Sequence, residues 1–516
     1  MFTERLTHVP ALSLPFELIS AIFVLCLPRR RRVRPHPLHA PLNLASVCSH
    51  WRAVALGTPE LWASISWELN DDIYYGIPQL FDSDGALLDF DHPLVALMNS
   101  WFPRASGYPL SISVFHSGNG SVSNSIWTAM SSYCFDLGRI ELTLPVTEFE
   151  AFDRAFSSIP FPSLTTLSIR VPDIETDDVP PIADDVQFNS IAHSSSLEVL
   201  DFRAYNIGLD THRLNLLPHT LRAIHLLCWI PYTDENMPPL TADPLALILV
   251  HFPTLEVLHI LISLFALAGY PNPQRVTSTS LKMLIVNNED ALNHLTLPNL
   301  LHLHIPYIRT PSVLHSFFSH SQCRRLSTLA IGISGDLDND ALIGILSLLP
   351  ELESLSLEVM DPDPLPATFN WETILFRVDL VPRLRTLAIQ LPSYHAPSAY
   401  ELWIELIQAR KATLRRAHLF MENDDDDIDM PSPSPPYPEI KAKLGALVMS
   451  GIDARIITNP RETFFEFDFG LLGPIDLQHA RLPQLHFGEN VEELVEYNER
   501  VVNWWRRRVV DGEYLE

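Results

Sequence analysis

The chain has 516 residues, 47% of them apolar, and a formal net charge of −27. That length suits several domains or one long repeat array with a large core. The acidic excess, 62 acidic against 35 basic residues spread along the chain, opposes binding to nucleic acid or to an anionic membrane surface.

Five cysteines (Cys26, Cys48, Cys134, Cys228 and Cys323) lie far apart, with no CxxC pair. A reduced intracellular setting, cytoplasmic or nuclear, is expected rather than a disulfide framework. No secretory leader is evident, because the apolar run Ile19–Leu27 is short, lacks a basic start and is followed by arginines. Forty-three prolines against eighteen glycines predict many short strands and helices.

Taken in chain order, Leu14-Pro15 opens an apolar segment, Phe16–Leu27, that reads as a helix with proline in its first turn and Glu17 near its N-terminus. Leu18, Ile22 and Leu25 form one stripe, and Ile19, Phe23 and Cys26 widen it, so nearly every side is apolar. Pro41–Cys48 and Ser49–Leu56 read as two more short helices, followed by a turn at Thr58–Trp62. Helices this short cannot bury that much apolar surface among themselves. The excess either packs on the rest of the chain or forms a docking face for another protein.

The residues Leu14-Pro15-x-Glu17-Leu18-Ile19-x-x-Ile22-Phe23, Pro41-Leu42, Val47-Cys48-x-x-Trp51-Arg52-x-Val54-Ala55 and Thr58-Pro59-x-Leu61-Trp62 together resemble the F-box family in its fungal form. The stretch Trp101-Phe102-x-Arg104-x-Ser106-Gly107-x-Pro109-Leu110-Ser111-Ile112 is similar to the segment that commonly follows in that group. The resemblance covers roughly the first 115 residues. It implies docking to a Skp-family adaptor and, through it, to a cullin–RING ubiquitin ligase. Carried over by position, Leu14, Pro15, Leu18, Ile22, Val47, Cys48 and Trp51 are the expected adaptor-binding residues. The sequence departs from the family at the insert Pro28–Pro37, which lengthens the first inter-helix loop and carries Arg29, Arg30, Arg31, Arg32 and Arg34. That run reads either as a nuclear signal or as a solvated basic loop that balances the acidic bulk.

Beyond about residue 130 the chain repeats itself. The pattern is Leu, two variable residues, an apolar residue, one variable residue and an apolar residue, usually after Pro or Ser. Copies begin at Leu164, Leu197, Leu221, Leu255, Leu281, Leu300, Leu326, Leu352, Leu384 and Leu414, about 28 residues apart on average. This predicts an α/β leucine-rich-repeat-like solenoid: short parallel strands on a concave face, with return helices such as Leu245–His251, Val313–His320 and Asp340–Leu349 on the convex side. Unrelated βα units in a layered domain are the alternative. The asparagine that closes a standard repeat is mostly missing. The most membrane-like stretch, Leu245–Gly269, falls on this repeat and contains His251, Pro253, Glu256 and His259, so it reads as core and no membrane span is expected.

The register places Ser168, Asp201, His225, His259, Ile285, His304, Ala330, Ser356, Ala388 and His418 outward, on the strand face away from the helices. At a strand spacing of about 4.8 Å, His225 and His259 are expected to be close, with His302 and His304 two strands further on. Arg170, Asp201 and Arg203 lie toward the N-terminal end. Imidazoles so placed can share zinc, but no tight ligand spacing supports a metal site, and none is expected. The favoured reading is a polar surface for an unknown protein target, drawn from Arg170, Asp201, Arg203, His225, His259, His302 and His304.

Asp424–Asp427, Asp429 and Pro431–Pro438 read as an exposed loop within residues 422–438, without the spacing of a calcium loop. Val491–Val509, acidic at its start and carrying Arg506, Arg507 and Arg508 at its end, reads as a capping helix over 489–516. The organisation expected is a helical module at 10–62, a linking segment with irregular repeats at 63–130, and a repeat region at 131–488. No Walker A loop, dinucleotide glycine fingerprint, HExxH or GxSxG is present, and Gly118–Gly120 reads as a flexible turn, so neither catalysis nor a cofactor is expected. Only four lysines stand against thirty-one arginines, a bias that suits a ligase subunit avoiding its own modification or an arginine-favouring genome. The functional expectation is a substrate-recruiting F-box subunit, with a non-catalytic repeat scaffold as the alternative.

Overall fold

The computed structural model describes residues 14–27, 33, 35, 38–69, 93–116, 122, 124–171, 190–191, 194–205, 217–229, 244–262, 275–286, 289–308, 310–333, 339–359, 375–392, 396–422 and 438–457. The chain divides into two compact units, Met1–Leu221 with Cys228–Tyr232, and Arg222–Leu227 with Thr233–Glu516. Arg29–Arg32, Arg34, Gly118–Gly120, the acidic and proline-rich run between Glu422 and Pro438, and Val491–Val509 lie outside the described residues.

The first unit opens with helices α1 (Phe16–Leu25), α2 (Leu42–Val47) and α3 (Ser49–Leu56) and a single 3-10 turn, Pro59–Trp62. It continues through β1 (Ser64–Leu69), α4 (Pro93–Trp101), β2 (Leu110–His116), α5 (Asn124–Ser132), β3 (Leu137–Thr143), α6 (Val146–Phe156), β4 (Thr166–Val171) and β5 (Val199–Tyr205). The five strands pair in chain order, all parallel. The parallel sheet thus already runs through β1 and β2, ahead of residue 131, and through β3, ahead of the first repeat leucine, Leu164. An aromatic layer fills the helical side. Trp127 of α5 meets Phe152 of α6 at 5.6 Å, and Phe149 meets Phe202 of β5 at 5.9 Å.

The second unit carries β6 (Ala223–Trp229, assigned to it through Leu227), α7 (Pro244–His251), β7 (Val257–Ile262), β8 (Met283–Val286), β9 (His302–Ile308) and α8 (Pro311–Ser321). Next come β10 (Thr328–Ile333), α9 (Asn339–Ser347), β11 (Ser354–Val359), β12 (Thr386–Pro392), α10 (Ala396–Ala409), β13 (Arg416–Glu422), α11 (Pro438–Met449) and β14 (Asp453–Ile457). Strands β7 to β14 also pair in chain order and in parallel. The three return helices read from the sequence are α7, α8 and α9. Among the described residues no helix is long and apolar enough to cross a membrane. The apolar stretch at Leu245 is instead split between α7 and β7.

The repeat pattern has a physical basis in both units. Each of the ten copy-opening leucines is at most 1% exposed, and a strand starts two residues after every one. Between leucine and strand, the chain bonds back to the preceding copy. Glu198 N–H donates to Thr165 O at 2.9 Å, Lys282 to Glu256 at 2.8 Å, Glu353 to Ser327 at 2.9 Å and Arg415 to Arg385 at 2.8 Å. A hydroxyl or amide just before the leucine adds a second tie. Ser163 donates to Phe135 O (2.6 Å), Ser196 to Pro162 O (2.6 Å), Thr220 to Leu197 O (2.7 Å), Ser280 to Pro253 O (2.7 Å) and Asn299 to Thr279 O (2.7 Å). These side chains add a second hydrogen bond between neighbouring copies.

Arg410, at the C-terminal end of α10, is buried and satisfies three main-chain carbonyls, those of Leu375 (2.5 Å), Arg377 (2.6 Å) and Val381 (3.2 Å). Burial lowers its pKa to about 10, so it stays charged at neutral pH. Arg410→Met removes the donors and leaves those carbonyls unsatisfied. A loss of about 3 kcal/mol in urea unfolding of the full chain is expected.

Candidate docking surface

Helix α1 presents two unlike stripes. Its N-cap is Pro15, whose carbonyl accepts from Leu18 N–H (3.1 Å) and Ile19 N–H (3.2 Å). Ile19 and Phe23 point inward, and Phe23 meets Trp51 of α3 edge to face at 5.0 Å. On the other stripe Leu18 is 53%, Ile22 47% and Leu25 83% exposed. Val47, the last residue of α2, is 60% exposed, and Phe16, Leu38 and Leu56 are exposed as well. Of the remaining expected docking residues, Pro15 is exposed, while Leu14, Cys48 and Trp51 are half-buried. Cys48 is the N-cap of α3, its sulfur accepting from Trp51 N–H at 3.4 Å. The described residues of the helical module thus leave apolar surface open on all three helices.

This module is fixed to the strands behind it by a polar and aromatic joint. Thr58, buried, donates to Val54 O (2.8 Å) and shares a hydrogen bond with Ser20 of α1 (2.8 Å). Trp62 Nε1–H donates to Ala55 O (2.8 Å), its ring stacks edge to face on Trp101 (4.8 Å), and the Arg104 guanidinium lies 4.7 Å over it. The two sequence motifs, Thr58–Trp62 and Trp101–Ile112, are therefore two halves of one contact. Tyr108 closes it by donating to Glu60 at 2.5 Å, a bond that raises the Tyr108 pKa above its ordinary value.

The strand row has the expected register and an unexpected environment. His225 and His259 lie 4.0 Å apart, ring to ring. His259, Ile285 and His304 occupy consecutive strands at the same level, with His302 two residues before His304. Asp201 sits opposite Ser168, and Arg203 opposite Arg170. All ten middle-row side chains are buried, however, as are Arg203 and His302, while Arg170 is half-buried. The expectation of an open polar recognition face along this row is therefore corrected. Part of this face is paired laterally. Ser168 donates to Asp201 (2.9 Å), Arg203 forms two 3.2 Å bonds with the same carboxylate, Ser113 donates to Glu141 (3.2 Å) and Gln390 to Glu358 (3.2 Å). Polar groups satisfied by their strand neighbours need not face water.

Among the described residues no group of three His, Cys, Asp or Glu side chains is placed to hold a metal ion. Of the described cysteines, Cys134 and Cys323 are buried core residues, Cys26 is exposed and Cys48 half-buried. Sequence reasoning missed Arg410 and the Trp62–Arg104 contact. The proximity of Trp62 and Trp101 in two adjoining motifs was the available signal for the second.

No family model matches the chain, and no curated protein matches it. Among solved structures, the chain is similar to one in the crystal structure of the Rad7 and Elc1 complex in yeast, at 14% identity and a TM-score of 0.34, over 72% of this chain and 88% of that one. A likeness of that size carries no argument about fold or function.

The buried histidines make stability pH-dependent. Burial lowers His304 to about 3 and His418 to about 4. For His418 the effect outweighs the hydrogen bond to Asp453 at 3.2 Å, a carboxylate held well below its usual range by His418 and Arg455. Unfolded, each imidazole takes up a proton near pH 6.5. Between that pH and about 4 the unfolded chain binds more protons than the folded one, so stability falls as pH drops through this window. Urea midpoints measured from pH 7 to 4 are expected to fall, and His304→Gln to flatten the slope.

Proposed function

We propose that this chain is a non-catalytic, intracellular docking protein of F-box type. Helices α1 to α3 engage a Skp-family adaptor, and through it a cullin scaffold, while the repeat region brings an unknown protein target to the ubiquitin ligase. The contacts assigned to the adaptor are Leu14, Pro15, Leu18, Ile22, Val47, Cys48 and Trp51. The mechanism is proximity, and no residue of this chain takes part in bond making or breaking.

One observation carries this reading. Leu18, Ile22 and Leu25 stand open on the same helix whose Ile19 and Phe23 are buried. A helix that merely capped its own repeats would turn both stripes inward, because leaving large aliphatic side chains in water forgoes roughly 2 kcal/mol each. An apolar stripe continued by Val47 and Leu56 is the kind of surface that receives a partner's helices. The motif resemblance supplies the partner's class. The histidine and aspartate row is given no target contact, since its side chains are buried. The sharper solenoid reading of the α/β repeats belongs to this proposal too, supported by strands that follow one another in chain order within each unit.

Leu18→Asp with Ile22→Asp is expected to weaken co-purification with a Skp-family adaptor by about a thousandfold in affinity. The circular dichroism spectrum should be unchanged, because both positions face water. Retained binding by the double variant would remove the proposal, as would failure of the wild-type chain to bind any such adaptor.

A further inference from the structure

Strand β1 is the outermost described strand of the first unit's sheet, paired with β2 on one edge only. An open strand edge presents unpaired N–H and C=O groups, and solenoids need caps at their ends for the same reason. Yet Ser64, Ile65 and Ser66 of β1 are all buried.

The free edge is occupied from within the long loop between α1 and α2. The amide of Ser66 donates to the carbonyl of Val33 at 2.8 Å, and Val33 is 0% exposed. Val33 sits inside the arginine-rich insert, between Arg32 and Arg34 in the sequence, in a motif to which the docking proposal gives no task. A loop that serves only to carry positive charge in water has no use for a fully buried valine. Nor does a short basic address read by a carrier protein require one of its residues to be bonded to a strand.

We propose that Val33 caps the outer edge of β1, the outermost described strand of the first unit's sheet. The bond to Ser66 takes up an edge donor, and the burial of Val33 keeps water and other strands from that point of the edge. The same contact ties Val33 to the strand that follows the three helices. This inference does not depend on what α1 to α3 bind.

The test uses the full chain as wild type, Val33→Ala and Val33→Asp, followed by amide hydrogen exchange and sedimentation velocity over a concentration series. Ser66 is expected to exchange about tenfold faster in Val33→Asp, the size of one lost hydrogen bond with its local packing, and less so in Val33→Ala. Leu167 and Leu200, on strands β4 and β5, should keep wild-type protection, which separates edge opening from unfolding. Val33→Asp should also self-associate at concentrations where wild type does not. If Val33→Asp unfolds the unit, Val33→Ala carries the measurement. Wild-type exchange at Ser66 in a folded Val33 variant, or an unchanged association state, overturns the cap.

Discussion

Within each unit the described strands pair with the ones before them. At nine of the ten copies the residue after the repeat leucine donates its amide to the preceding copy, and all ten leucines are sealed in the core. A short parallel strand with alternating apolar residues cannot bury both a face and two edges alone, so stability accumulates copy by copy. The second tie from Ser, Thr or Asn fixes the spacing at the turn, where a slipped register would turn every core leucine toward the wrong face. Such a stack has ends, and the described N-terminal end is where the chain places its most unusual features.

At that end the docking helices and the first strands are built together. Trp62 is hydrogen-bonded to α3, stacked on Trp101 and covered by Arg104. Val33 reaches the far edge of β1. These contacts leave Ile19 and Phe23 inside and Leu18, Ile22 and Leu25 outside. The inward stripe gives the module a fixed seat, and the outward stripe is free to meet a partner without loosening it. Under the docking proposal a rigid seat matters, because a partner held on a swinging module would sample many useless positions.

Much of this was legible in the amino-acid order, for a reason that also explains what was not. The ten leucines recur because each copy meets the same environment, and periodic burial is the strongest signal a sequence carries. The strands β1 to β3 escaped the pattern because their copies open irregularly, with β3 starting on Leu137 itself. The middle row was placed on the right strands and at the right level, His225 beside His259 and Asp201 beside Ser168. Its exposure was misjudged because alternation tells which face a residue takes, and not how its neighbours fill that face. Arg410 was invisible for a different reason. Its partners are backbone carbonyls near residues 375 to 381, some thirty positions away, which no side-chain pattern marks.

The central claim is that the open stripe of α1 is a docking face. The most direct test is hydrogen exchange on the full chain with and without a purified Skp-family adaptor. The account requires slowed exchange over Leu18–Leu25 and around Val47 on mixing, with strands β4 and β5 unchanged. Identical exchange at Leu18–Leu25 with saturating adaptor would contradict it.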